Sequence, residues 1–114
     1  MGLMLLNSID RVIQMITMQR LSNHVTKEEL LQFKEERYEV DLHDMYVDEA
    51  LTFLRFLLQH TAKHVKQIYV VHGYRSGTAL QQAITFKNLK SKRVDRIHPA
   101  MNPGVSVIEL KVEE

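Results

Sequence analysis

The sequence predicts an α/β fold of the two-layer α+β sandwich type, with a four-stranded mixed sheet packed by two helices behind an N-terminal helical extension. Two observations lead to this prediction. From residue 38 onward, stretches of alternating apolar and polar residues interchange with stretches whose apolar residues recur at helical spacing. The resulting order is β-α-β-α-β-β, in which a strand–helix–strand unit favours a parallel pair. The last two strands are close in the chain and favour an antiparallel hairpin.

The first 36 residues are predicted to form a helical extension. Apolar residues recur there at 3-4-3 spacing, at Leu6, Ile9, Ile13 and Ile16. This spacing predicts an amphipathic helix through residue 21, which either packs on the domain or pairs with a second copy. Thr26 and Glu29 then form a capping-box pattern, so a second, shorter helix is expected from Lys27 to about Glu36.

Residues 37–114 are predicted to form the main domain. Its strands are expected at "YEVDLH", "KQIYVVHG", "RVDRIHP" and "VSVIELKV", with a turn at "AMNPG" between the last two. Its helices are expected from Val47 to Thr61 and over "GTALQQAITFKNLK". The acidic Asp48 and Glu49 fall in the first turn of the first helix, where the helix dipole favours negative charge.

Composition places the chain among intracellular, soluble proteins. It has 114 residues, of which 45% are hydrophobic and 25% charged, enough for one domain with its own core. It has no cysteine, which excludes disulfides, a thiol nucleophile and cysteine zinc sites. The N-terminal stretch has no basic n-region and no small-residue cleavage site, and polar residues interrupt it too often for a membrane span. We therefore expect a cytoplasmic protein with no membrane partner.

Charge is segregated along the chain. Residues 1–59 carry six Lys/Arg against ten Asp/Glu, a net −4, and residues 60–114 carry nine against four, a net +5. Such segregation favours a polyanion partner on one face, although scattered lysines on a solvated surface give the same count. The residues predicted to follow a nucleic-acid backbone are Lys87, Lys90, Lys92, Arg93 and Arg96.

Two strand-to-helix junctions carry the candidate functional residues. The first places Asp41 and His43 two residues apart, on the same face of a strand, and the second begins at His72. Ligands of open α/β sheets gather at the carboxyl ends of parallel strands, so both junctions are expected on one edge of the sheet. A carboxylate orients a histidine and stabilises its cation. Two imidazoles then suit proton transfer, or binding of a divalent metal with Asp41, whereas a lone histidine there usually caps or packs.

The second junction has the composition of an anion site. Glycines let the backbone approach a ligand, an arginine binds phosphate through two hydrogen bonds, and hydroxyl groups donate further ones. The residues are Gly73, Arg75, Ser76, Gly77 and Thr78. The pattern matches neither a Walker loop nor GxGxxG, and an ordinary turn with Ser76 or Thr78 as helix cap is the alternative.

The motifs together resemble the Smr domain, the small MutS-related module. The resemblance rests on "VDLHDMYVDEAL", "IYVVHGYRSGTALQQAI" and "VSVIEL", and covers about residues 38–112. It implies a fold like the C-terminal domain of translation initiation factor three. It also implies DNA or RNA binding and, in many members, endonuclease activity with or without a metal. Asp41, His43 and His72 then stand at the catalytic positions. The sequence fixes no cofactor, with Mg²⁺ or Mn²⁺ the candidates that the resemblance implies.

Two positions depart from the family pattern, which has glycine at both. They are occupied by Asp44, which adds negative charge near the expected phosphate, and Arg75, which either strengthens phosphate binding or blocks close approach. The departures leave a second hypothesis, a non-catalytic module that binds nucleic acid or a ribonucleoprotein. A third is an enzyme acting on a small phosphorylated metabolite. The N-terminal helix is a predicted surface for a protein partner or self-association.

Overall fold

The computed structural model describes residues 18–73 and 78–112, and these residues form one layer of helices on a five-stranded sheet. The strands are β1 (Arg20–Leu21), β2 (Arg37–Asp41), β3 (Gln67–Val71), β4 (Val94–Pro99) and β5 (Val105–Leu110). The helices are α1 (Lys27–Gln32), α2 (Val47–His60), α3 (Thr78–Ala83) and α4 (Phe86–Leu89). The sheet order is β1-β2-β3-β5-β4, with β1, β2 and β3 parallel and the last two strands antiparallel.

The fifth strand corrects the predicted count of four. Arg20 and Leu21 pair with Glu39 and Val40 at the edge of the sheet, so the helix predicted through residue 21 is wrong at its end. A strand of two residues is too short to show alternation, which explains why the sequence pattern did not reveal it. The rest of the predicted N-terminal helix, residues 1–17, lies outside the described residues, as do residues 113–114.

Alternation along β2 separates the two faces of the sheet. Tyr38 and Val40 are buried against the helices, whereas Glu39 and Asp41 are half-buried on the opposite, open face. The same burial pattern recurs in β3, where Val70 belongs to the core. The core continues into the N-terminal part of the chain, because Val25, Leu30 and Phe33 join the same apolar cluster.

Helix boundaries follow local side-chain chemistry. The predicted capping box at the start of α1 is confirmed, since Thr26 Oγ1 accepts a hydrogen bond from Glu29 N and Glu29 Oε1 accepts one from Thr26 N. The single helix predicted over 77–90 is wrong: it breaks after Ala83, where Asn88 Nδ2 donates to the free Ala83 carbonyl. Thr85 then caps α4 by accepting from Asn88 N.

Arg93 ties the sheet to the end of α2. Its guanidinium donates to the carbonyl oxygens of Thr61 at 2.5 Å and Ala62 at 3.0 Å. These carbonyls follow the last turn of the helix, where partial negative charge accumulates, so a cation is stabilising there. Arg93 is thus held in place by the fold. Among the described residues, no helix is long and apolar enough to cross a membrane.

Candidate active site

The two predicted junctions meet at one edge of the sheet. Asp41 and Val71 are register partners at the ends of β2 and β3, and Leu42 N donates to Val71 O at 2.7 Å. A Cβ placed on Gly73 would lie 3.7 Å from the Cβ of His43, an ordinary van der Waals contact. We call this edge the rim, formed by residues 41–44, 72–73 and 102–104. The expectation that distant loops converge there is confirmed for the described residues.

The turn between β4 and β5 closes the rim from below. His72 N and Gly73 N both donate to Gly104 O, at 2.9 and 3.0 Å. A Cβ on Gly104 would approach the Cα of Gly73 to 3.4 Å, so a larger residue would press on the junction. Gly73 itself has φ +77°, a conformation that glycine adopts without steric cost. These two glycines let the turn and the junction lie against each other.

Asp41 and His43 form a carboxylate–imidazole pair on the rim. Asp41 Oδ1 contacts His43 Nδ1 and also accepts a hydrogen bond from His43 N at 3.1 Å. Its other oxygen, Oδ2, accepts from an Arg20 guanidinium nitrogen at 3.2 Å. The carboxylate is therefore fixed at both oxygens, and it holds the imidazole with Nδ1 turned inward. The His43 side chain is 56% exposed and open to a ligand.

The pair shifts both pKa values toward the charged forms. The hydrogen bond to Asp41, the charge of Asp41 and then the charge of Asp44 raise the pKa of His43 above its ordinary value. Partial burial acts to raise the pKa of Asp41, but the hydrogen bonds from His43 and the charges of His43 and Arg20 outweigh it and lower that pKa. The pair therefore favours imidazolium beside carboxylate, the state in which His43 can donate a proton.

Asp44 occupies the position where the Smr pattern has glycine. Its backbone has φ 70°, in the left-handed region that glycine prefers. Its Oδ2 lies 3.2 Å from His43 Nε2, so the second carboxylate faces the outward nitrogen of the ring. The substitution thus adds charge to the site at a position whose backbone geometry suits glycine.

We expect Asp44→Gly to be more stable than Asp44→Ala by about 1 kcal/mol, because only glycine relieves the left-handed backbone while both variants lose the carboxylate. Urea denaturation of the two variants measures the difference. Both should also lower the pKa of His43, since each removes one of the charges that raise it, and the ring-proton resonances report that change. Equal stabilities would contradict the backbone explanation.

His72 lies on the other side of the sheet. Its ring is 1% exposed, with Nδ1 donating to Gly73 O at 2.6 Å and Nε2 placed 2.9 Å from Ser106 Oγ. Ser106 pairs in register with Val70, on the face that packs against the helices. The structure therefore brings together Asp41, His43 and Gly73, but it places the His72 imidazole in the interior behind them.

The other predicted site residues are distributed unevenly. Arg75, Ser76 and Gly77 lie outside the described residues, and Thr78 is exposed at the first position of α3. Arg93 is engaged with the end of α2. The remaining predicted cations are all exposed: Lys87, Lys90, Lys92 and Arg96.

The described part of the rim does not present a metal site. Across residues 18–73 and 78–112, no three His, Asp or Glu side chains lie close enough together to hold an ion. Asp41 already uses both oxygens for His43 and Arg20. We accordingly derive no catalytic step through a protein-bound metal.

Comparison with protein families identifies the chain. The family model described as the Smr domain matches residues 40–111, which include both junctions, the rim and strands β3 to β5. The chain belongs to the Smr domain family. Smr domains are a nucleic-acid-binding and endonuclease-type family. Neither the curated proteins nor the solved structures gave a significant match.

Two partners of the Smr motif residues were missed by sequence reasoning. Arg20 binds Glu39 through Nε at 2.7 Å as well as Asp41, but it lies in a segment that was predicted to be helical. Ser106 holds the buried histidine. A polar residue inside the apolar run "VSVIEL" was the available signal for a buried polar contact.

Proposed function

We propose that this Smr protein binds nucleic acid in the cytoplasm and hydrolyses phosphodiester bonds at the Asp41–His43 pair. The observation that carries the proposal is an exposed imidazole, fixed by a carboxylate at Nδ1, on the rim where Gly73 leaves room for a ligand. A positioned acid or base of this kind contributes about 10²- to 10⁴-fold to a proton-transfer reaction. Family membership supplies the substrate class.

His43 is assigned the role of general acid. Water attacks the phosphorus, the bond from phosphorus to the leaving oxygen breaks, and that oxygen takes the proton from His43 Nε2. The proton of the attacking water passes to solvent. Asp41 is a positioning residue, because it orients the ring and stabilises the imidazolium without touching the substrate. Its carboxylate accepts from the inward nitrogen, which leaves the outward Nε2 for the substrate.

His72 is proposed to position the site from the interior. Both of its ring nitrogens are engaged, one with the Gly73 carbonyl and one with Ser106. It thereby links the second junction to β5. The phosphate contacts of Arg75, Ser76, Gly77 and Thr78 stay predictions, and Lys87, Lys90, Lys92 and Arg96 are proposed to contact the backbone at exposed positions.

A non-catalytic nucleic-acid or ribonucleoprotein binding module is the second candidate. The charge of the described rim favours it, because Arg20 faces three carboxylates there, those of Glu39, Asp41 and Asp44, and such a surface repels phosphate. The two candidates share binding and differ in chemistry alone.

Cleavage assays separate the candidates. Purified protein is incubated with single-stranded, duplex and branched DNA and RNA, in EDTA and in Mg²⁺ or Mn²⁺, and products are resolved beside a binding measurement on the same substrates. The proposal predicts cleavage that depends on Asp41. Binding without cleavage on every substrate would establish the binding module instead.

A further inference from the structure

A groove of about 620 Å³ lies at the end of the molecule opposite the rim. Its walls come from α1, from the end of α2 at residues 59–63, and from the residues that flank β4 and β5. β5 runs antiparallel to β3, with Val71 opposite Val105 near the rim and Gln67 opposite Glu109 at the far end. We call this groove, which is lined by five cationic residues, the basic groove: Lys27, Lys63, Lys92, Arg93 and Lys111.

The basic groove differs from the rim in charge. No carboxylate of a described residue lines it. Within the part of the chain that the structure describes, Lys27, Lys92 and Lys111 make no ion pair, and all three are exposed. Arg93 fixes one wall through its hydrogen bonds to Thr61 and Ala62. Positive charge in a concave surface raises the local concentration of anions.

We propose that the basic groove is a second phosphate-binding surface, which holds the sugar–phosphate backbone of a nucleic acid at a distance from the rim. The inference rests on the proposed nucleic-acid binding and adds where the affinity comes from. The described rim is negative and has Arg20 engaged in ion pairs, so it offers little attraction for phosphate. The groove supplies the lysines that the rim does not.

The lining of the basic groove indicates what part of the nucleic acid it contacts. No Phe, Tyr or Trp side chain of a described residue lines it, so it offers no stacking platform for bases. Lysine side chains contact phosphate oxygens, and such contacts carry no sequence information. The groove is therefore expected to bind without sequence preference and with affinity that falls steeply as salt is added.

The separation of the two surfaces sets the length of substrate that reaches both. β3 spans the sheet between them, and its five residues correspond to about 16 Å at ~3.3 Å per residue. A duplex advances ~3.4 Å per base pair, so about five base pairs cover this distance. A nucleic acid longer than this can contact the basic groove while a phosphodiester sits at His43.

The test compares two pairs of substitutions with the same change of charge. Lys92→Gln/Lys111→Gln alters the groove, and Lys34→Gln/Lys66→Gln alters exposed lysines outside its lining, one of which is paired with Glu36. Dissociation constants for 20-nucleotide single strands and 20-base-pair duplexes are measured by fluorescence anisotropy between 50 and 200 mM KCl. The groove variant should lower the duplex slope of log affinity against log salt by about 1.8, at ~0.9 per phosphate contact. Its loss of affinity relative to wild type should be about tenfold larger at 50 than at 200 mM.

The outcomes separate this inference from the proposed function. Equal slopes for wild type, groove variant and control variant would overturn the groove while leaving nucleic-acid binding intact. A wild-type protein that binds none of these nucleic acids would overturn both. Displacement of bound duplex by polyglutamate at equal charge concentration would mark a surface for acidic protein segments, and would also overturn the proposal.

Discussion

Replacing Asp41 by asparagine is expected to lower the rate of phosphodiester cleavage by about 10²- to 10⁴-fold while nucleic acid still binds. The amide keeps the shape of the side chain, but it loses the charge that raises the pKa of His43 and stabilises its cation. It also loses the partner of Arg20 on Oδ2. His43→Ala should cause a similar loss, because it removes the proton donor itself. Single-turnover cleavage with enzyme in excess measures both rates.

Glu39→Gln is the matched control for Asp41→Asn. Glu39 lies two residues earlier on the same face of β2 and also binds Arg20, so its substitution changes the same charge in the same neighbourhood. We expect cleavage within a few-fold of wild type, because Glu39 does not contact His43. If Asp41→Asn and Glu39→Gln reduced cleavage equally, the special role of Asp41 would be contradicted.

His72→Ala is expected to lower the free energy of unfolding by about 2–4 kcal/mol. The substitution removes a fully buried ring and leaves the Gly73 carbonyl and the Ser106 hydroxyl without their partner. The cost combines a cavity with unsatisfied polar groups. Since domains of this size are stable by about 5–15 kcal/mol, the variant should melt markedly earlier than wild type in thermal and urea denaturation.

His72→Asn provides the comparison for this prediction. Its side-chain amide can still donate to Gly73 O in place of Nδ1, so the loss of stability should be smaller than for alanine. Where the variants remain folded, cleavage should fall far less than in His43→Ala. A stable His72→Ala protein that had lost cleavage entirely would contradict the positioning role and return His72 to proton transfer.

Long periodic segments made the domain fold predictable from the sequence. The buried apolar positions of α2, including Leu54 and Leu57, recur at helical spacing, and the confirmed strands alternate or run apolar. Short elements were not predictable in this way. β1 has two residues, and the break between α3 and α4 depends on Asn88 reaching the Ala83 carbonyl, a contact that no hydrophobic pattern encodes.

The site was predictable in its location but not in its register. The sequence placed His43 and His72 at matching positions of two junctions, whereas the structure pairs Asp41 with Val71 and places His43 beside Gly73. An offset of one residue moves a side chain to the opposite face of a sheet. Two residues separate His72 from the buried Val70, so alternation alone carried the information that its ring turns inward.

The pH dependence of cleavage tests the central claim most directly. If His43 is the general acid, the single-turnover rate of the wild type falls as pH rises through a pKa above the ordinary histidine value, because the imidazolium is lost. In Asp41→Asn the falling limb should move to lower pH, since the largest causes that raise this pKa are gone. A limb that stays in place in Asp41→Asn, or a rate that rises with pH throughout, would contradict proton donation from this pair.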